Sequence, residues 1–131
     1  MTEIPAVRIA ATCAHLASER KATDISVLNI AEISSFADYF VIASGRNTRQ
    51  LRAIASAISR MASHHRLHVL GTEGKGSESW ILIDLGDVVV HLFSEQTRRL
   101  YDLELLWGDA GRVEWGEQPP LDVPEGEQAR A

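Results

Sequence analysis

The sequence predicts a single α/β domain: a mixed five-stranded sheet with helices mainly on one face. Three observations predict it. Leu51, Ile54, Ala55, Ile58, Met61 and Ala62 recur at helical period. Tyr39 to Ala43 is a continuous apolar run, as expected of a strand buried on both faces. Two further apolar stretches, Trp80 to Leu85 and Val88 to Phe93, flank Gly86-Asp87, whose leading glycine suits a type II′ hairpin turn. The chain has 131 residues, enough for one core, and its apolar (45%) and charged (24%) fractions exclude wholesale disorder and fibrous classes.

The elements follow in order. Pro5 opens a helix through Val7, Ala10, Ala11, Ala14 and Ala17 that ends near Arg20, alanine-rich and therefore closely packed. Ile25 to Ile30 alternates as a half-buried strand, and Tyr39 to Ala43 is a central one bracketed by Asp38 and Gly45. The periodic helix follows from Asn47, its outer positions including Arg46, Arg49, Arg52 and Arg60, with no acid between Asp38 and Glu73. It presents a basic face on a near-neutral body. Leu67 to Leu70 reads as a short strand and Gly71 to Ser79 as a mobile glycine- and serine-rich loop, followed by the hairpin. Ser94 caps a last helix, with Glu95 in its first turn and Leu100, Leu103, Leu106 and Trp107 as apolar anchors before Gly108. Residues 1–110 thus form the domain. Residues 111–131, with Pro119, Pro120 and Pro124 among acids, read as a disordered tail in which Trp115 is the one residue able to dock. With helices on one side, the opposite side of the sheet is either wet or used for binding.

The net charge of −5 is unevenly placed, because residues 108–131 hold six acids against Arg112 and Arg130. The rest is near neutral overall, which does not favour a direct grip on nucleic-acid phosphates; a protein surface, and no direct sequence-specific nucleic-acid contact, is expected. Cys13 is the only cysteine, so neither an intramolecular disulfide nor a thiolate-rich metal site is available, and a reducing, cytoplasmic setting is expected. No window approaches the ~20 apolar residues of a membrane span, and no secretory leader pattern opens the chain.

Candidate chemistry fails in detail. Gly74-Lys75 lies in a glycine-rich stretch, but Val69 stands where a phosphate-binding loop needs glycine and Gly76 where it needs Ser or Thr. Ser44 sits between strand and helix, yet Ile42 and Arg46 replace the flanking glycines of a nucleophile elbow. The same turn resembles that of nucleotidyltransferases, but no carboxylate follows Ser44 until Glu73, and Asp84 and Asp87 straddle a turn rather than pairing on one strand face, so two-metal catalysis is not expected. His64, His65 and His68 include an i, i+4 pair but lack further ligands; a helix end accounts for them better. His91 reads as a hydrogen-bonded sheet residue that Asp84 across the hairpin could tune. No catalytic residue, metal or cofactor is expected.

Trp80 differs. Strand alternation places Trp80, Leu82 and Asp84 opposite Ile81, Ile83 and Leu85. The aliphatic side belongs in the core, whereas the mixed side has the composition of an interface hot spot. The competing reading folds Trp80 beneath the glycine loop.

Several ordered stretches together resemble the ribosomal silencing factor (Iojap-like) family. They are Ala22-Thr23-Asp24-Ile25, Asp38 to Gly45, Arg49-Gln50, Glu73-Gly74, Trp80 to Asp84, Gly86 to His91, and Arg98 to Glu104, with Trp107 in register. The resemblance spans about residues 4–110. It implies a nucleotidyltransferase-like fold without catalytic acids, and a homodimer when free. It further implies a factor that binds ribosomal protein fourteen of the large subunit and blocks joining of the small subunit, repressing translation under nutrient limitation. Carried onto this sequence, it makes Trp80 and Leu82 the first partner contacts and Asp84, His91, Arg98 and Tyr101 their neighbours. Asp38, Tyr39, Glu73 and Gly74 match as well, although they could equally shape the strand and loop. The alternative reading is a nucleotidyltransferase-like enzyme or nucleotide binder using Ser44, Gly45 and the glycine loop.

Overall fold

The fold comes from a computed structural model, in which residues 4–73, 80–100, 108 and 110–123 are described. Helix α1 (Ala6–Glu19) leads into β1 (Thr23–Asn29) and β2 (Tyr39–Gly45); α2 (Thr48–His64) follows, then β3 (Gly71–Glu73), β4 (Trp80–Asp84) and β5 (Val88–Ser94). Helix α3 (Glu95–Leu100), a two-residue strand β6 (Gly111–Arg112) and a 3₁₀ turn (Trp115–Glu117) complete the described chain. The sheet is mixed and six-stranded, ordered β3-β4-β5-β2-β1-β6; β2 and β5 run parallel, and the other neighbours are antiparallel.

Both long helices pack on one face. The period foreseen for α2 holds residue for residue, since Leu51, Ile54, Ala55, Ile58, Met61 and Ala62 are all buried. Asn47 caps this helix by accepting from the Gln50 N–H at 2.8 Å. Gly45 is needed just before it, because a Cβ there would sit 2.7 Å from Leu51 Cδ2. Ala10, Ala14 and Ala17 let α1 approach the sheet closely, and Cys13 between them is fully buried, its thiol pushed up to about 12 by that burial. Against these helices lie Val27, Val41, Ala43, Ile81, Ile83, Val90 and Leu92.

The hairpin forms as expected. Leu85 N–H donates to Val88 C=O at 2.8 Å, closing a two-residue loop in which Gly86 takes φ +92°. Ser94 Oγ accepts from Thr97 N–H at 3.1 Å and so caps α3.

Four expectations need correction. The sheet has six strands, not five: Val113 N–H donates to Val27 C=O and β6 lies beside β1, a strand too short to carry a period. The third strand is Gly71–Glu73 rather than residues 67–70. Helix α2 ends in a Schellman turn, with Arg66 at φ +58° and Leu67 N–H bonded to Ala62 C=O, so pairing with β4 starts only where Leu70 N–H meets Asp84 C=O. The remainder of the glycine loop, 74–79, lies outside the described residues. Leu100 is no anchor, being 75% exposed, and the other foreseen anchors of that helix, Leu103, Leu106 and Trp107, also lie outside the described residues.

The fourth correction concerns the tail. Residues 111–123 are not disordered but run as a strap over α1. Leu121 is buried in the helix-side core and its N–H donates to Thr12 Oγ1 at 2.9 Å. Trp115 docks edge-on against His15, whose Nε2–H donates to Gln118 C=O at 3.1 Å. Arg8 holds the carbonyls of Pro119 and Pro120, and His65 Nε2–H reaches Asp122 C=O at 2.6 Å. Composition concealed this because main-chain carbonyls, which any residue supplies, do most of the anchoring. The rest of the expected tail, residues 124–131, lies outside the described residues.

Candidate functional site

The face of the sheet away from α1 and α2 is assembled by strand register. One row runs Trp80, Phe93, Ser44; the next Leu82, His91, Ile42, Ser26; the third Asp84, Val89, Phe40, Leu28. Its centre is closed, with Ile42 and Phe93 fully buried and Phe40 and His91 at 5% exposure. Its β4 margin is open. Trp80, Leu82 and Asp84 are half-buried, while Ile81 and Ile83 between them are at 0–1% on the helix side. The alternation read from the sequence thus separates a core side from an accessible side within one strand.

Trp80 neither projects freely nor is sealed in the core. Its ring packs on Phe93 (centroids 4.9 Å) and lies tilted over His91 (6.0 Å). Aromatic contact continues from His91 to Phe40 (4.7 Å, edge-on) and from Phe40 to Phe36 (6.3 Å), whose side is 65% exposed. Trp80 Nε1–H donates to His91 Nδ1 at 3.4 Å. Because an indole nitrogen only donates, His91 is the neutral tautomer with its proton on Nε2. Burial lowers the His91 pKa to about 4, so burial, not Asp84, sets its charge state. Its Nε2 is buried with no hydrogen-bond partner among the described residues.

The remaining candidates fall in different places. Asp84 lies on the open margin, but its Oδ1 accepts from Gly86 N–H at 2.9 Å, which gives it a turn-shaping role. Glu73 is in register with Leu82 at the sheet edge; Gly74 and Tyr101 lie outside the described residues. Asp38 and Tyr39 sit at the hairpin-turn end, where both N–H groups donate to Asp87 C=O, and Tyr39 packs toward the helix-side core, away from Trp80. Arg98 lies deeper than the half-buried margin: it is only 9% exposed and its Nη1 donates to Ser44 Oγ at 2.8 Å, tying α3 to the end of β2. Ser44 itself is fully buried within β2, not exposed on a sharp turn as an attacking hydroxyl would be. Among the described residues no group of three His, Cys, Asp or Glu is placed to hold a metal ion.

Sequence reading missed Phe36, Phe40 and Phe93. Alternation along β2 and β5 carried the signal for the last two; nothing in the sequence marked Phe36, a loop residue.

The sequence matches the family described as "Ribosomal silencing factor during starvation" over residues 3–131. The chain belongs to this family. Among its relatives, the ribosomal silencing factor of Halalkalibacterium halodurans is 43% identical over 96 residues, covering 73% of this chain and 82% of that protein. That of Bacillus subtilis is 45% identical over 92 residues, 70% and 78% of the respective chains. A crystal structure of a Chromobacterium violaceum protein superposes with TM-score 0.77 at 29% identity, covering 92% of this chain and 95% of the other. Membership supports a ribosome-associated role in translation silencing. The margin around Trp80 and Leu82 is half-buried and seated on the paired strands β4 and β5. No described helix is long and apolar enough to cross a membrane.

Proposed function

We propose that this chain binds ribosomal protein fourteen of the large ribosomal subunit through the Trp80–Leu82 margin and, by occupying that site, keeps the small subunit from joining. The observation that carries the reading is a half-buried Trp80 resting on a packed bed of Phe93 and His91, with Leu82 beside it on the same open strand side. Such an anchor needs little ordering on binding, because its rotamer is already held. Asp84 lies on the same open strand side, Glu73 pairs with Leu82 in register, and His91 acts from beneath by orienting the indole. Arg98, buried on Ser44, supports the scaffold.

Repression then requires occupancy alone. A body of this size seated on an intersubunit contact excludes the partner by volume, and no bond is made or broken. An interface of roughly 1,200 to 2,000 Å² with a few desolvated anchors suffices. The proposal includes a cytoplasmic location, a homodimer in the free state and a nucleotidyltransferase-like arrangement of the sheet that carries no catalysis.

The test is subunit association. Purified protein added to separated subunits, without nucleotide, is expected to lower the joined fraction in a saturable way. Normal joining at saturating protein would overturn the proposal.

A further inference from the structure

The charge of the molecule is segregated. Residues 39–72 contain five arginines, Arg46, Arg49, Arg52, Arg60 and Arg66, and no acid, within a chain whose net charge is −5. Four of the five lie on or directly before α2, whose apolar stripe is wholly turned to the sheet. Arg46, Arg49 and Arg52 are exposed and Arg60 is half-buried. From Arg49 to Arg60 the helix rises about 16 Å, and the eleven-residue step returns to nearly the same angle, so the two mark one outward line. The end of α1 adds to this surface. Gln50 bridges the elements, its Oε1 accepting from Arg46 N–H at 2.6 Å and its Nε2–H donating to Arg20 C=O at 2.9 Å, which brings Arg20 and exposed Lys21 beside the start of α2.

Among the described residues Arg60 Nε is buried with no hydrogen-bond partner, and Arg60 lies close enough to Arg20 for their charges to repel. Burial lowers the Arg20 pKa first, Glu19 opposes this from 3.7 Å, and Arg60 lowers it further. An ordinary solvated helix face would intersperse acids at i, i+4 spacing, and this one has none. The side chains are guanidinium forks, suited to bidentate contact with phosphate and, being planar and weakly hydrated, cheaper to desolvate than ammonium groups.

We infer that the outward face of α2, with the adjoining end of α1, is a binding surface for the phosphate backbone of RNA, read without regard to base sequence. The surface lies on the opposite side of the sheet from Trp80, so it is a second contact rather than an extension of the first. An isolated acidic chain gains such a contact only from local charge, which makes it weak at high salt and strong where RNA is dense, as on a ribosome. The inference does not depend on subunit blocking.

The experiment uses the full chain and a short fluorescein-labelled RNA duplex, with anisotropy followed from low to physiological salt. Binding is expected at low salt, with log affinity falling linearly against log salt. Arg49→Ala with Arg52→Ala is expected to weaken binding at least tenfold and reduce the slope by about 2. Arg49→Glu with Arg52→Glu should abolish it with the melting temperature preserved, since both side chains are exposed. Trp80→Ala should leave RNA binding unchanged, which separates failure here from failure of the subunit proposal. Absence of binding at low salt, or a charge-reversed variant that binds like wild type, would overturn the inference. Competition by polyglutamate as effective as by unlabelled RNA would assign the face to an acidic protein and overturn it equally.

Discussion

The two faces of the sheet are built from the same strands and do opposite things. On the helix side, Val41, Ile81, Ile83, Val90 and Leu92 are aliphatic and essentially solvent-free beneath α1 and α2. On the other side, aromatic rings and a histidine are mixed with aliphatics, and exposure rises from the closed centre at Ile42 to the open margin at Trp80 and Leu82. The first face holds the fold together. The second is packed at its centre and open at its β4 margin.

Substitutions that separate the faces test this most sharply. The largest stability loss is expected from Ile83→Ala, about 2 to 5 kcal/mol for a fully buried aliphatic, measured by denaturant unfolding, whereas Leu82→Ala one position away should cost markedly less. Equal losses would mean that β4 has no open side.

His91 gives the next effect. Its pKa is depressed in the folded state, so the unfolded chain takes up the proton first as pH falls. Its contribution is intact above about pH 6.5 and is lost progressively toward pH 4, approaching 3 kcal/mol. Unfolding free energies measured from pH 7 to 5 should fall for wild type and be flatter for His91→Phe. Identical slopes would remove burial of a neutral imidazole from the description of this face.

Most of the helix-side face was legible in the sequence, because its physics is periodic. Leu51 to Ala62 and the alternating burial along β4 each repeat a simple geometric rule, and Gly86-Asp87 names its own turn. The open face was legible only in part. Trp80 and Leu82 follow from alternation, but whether Arg98 reaches a partner or Ser44 is decided by where α3 crosses the end of β2, which no local pattern encodes. The strap over α1 was illegible for another reason: Gln118, Pro119, Pro120 and Asp122 are all gripped through their carbonyls, so side-chain composition suggested disorder where main-chain bonding gives order.

A smaller effect, of stabilising sign, comes from the scaffold itself. Both long helices end on a cation in the left-handed region, Lys21 at φ +69° and Arg66 at φ +58°, where glycine is at ease. Arg66→Gly should raise stability by a few tenths to about 1 kcal/mol in thermal unfolding and leave the proposed binding to large subunits unchanged. A loss of stability would show that the arginine side chain contributes more than its backbone strain costs.

The most direct measurement of the central claim is Trp80→Ala followed two ways, by affinity for large ribosomal subunits and by melting temperature. Binding is expected to weaken by about 2 to 4 kcal/mol, roughly thirtyfold to a thousandfold, with only a modest drop in melting temperature. Unchanged affinity together with a large fall in melting temperature would contradict the claim and make Trp80 a core residue.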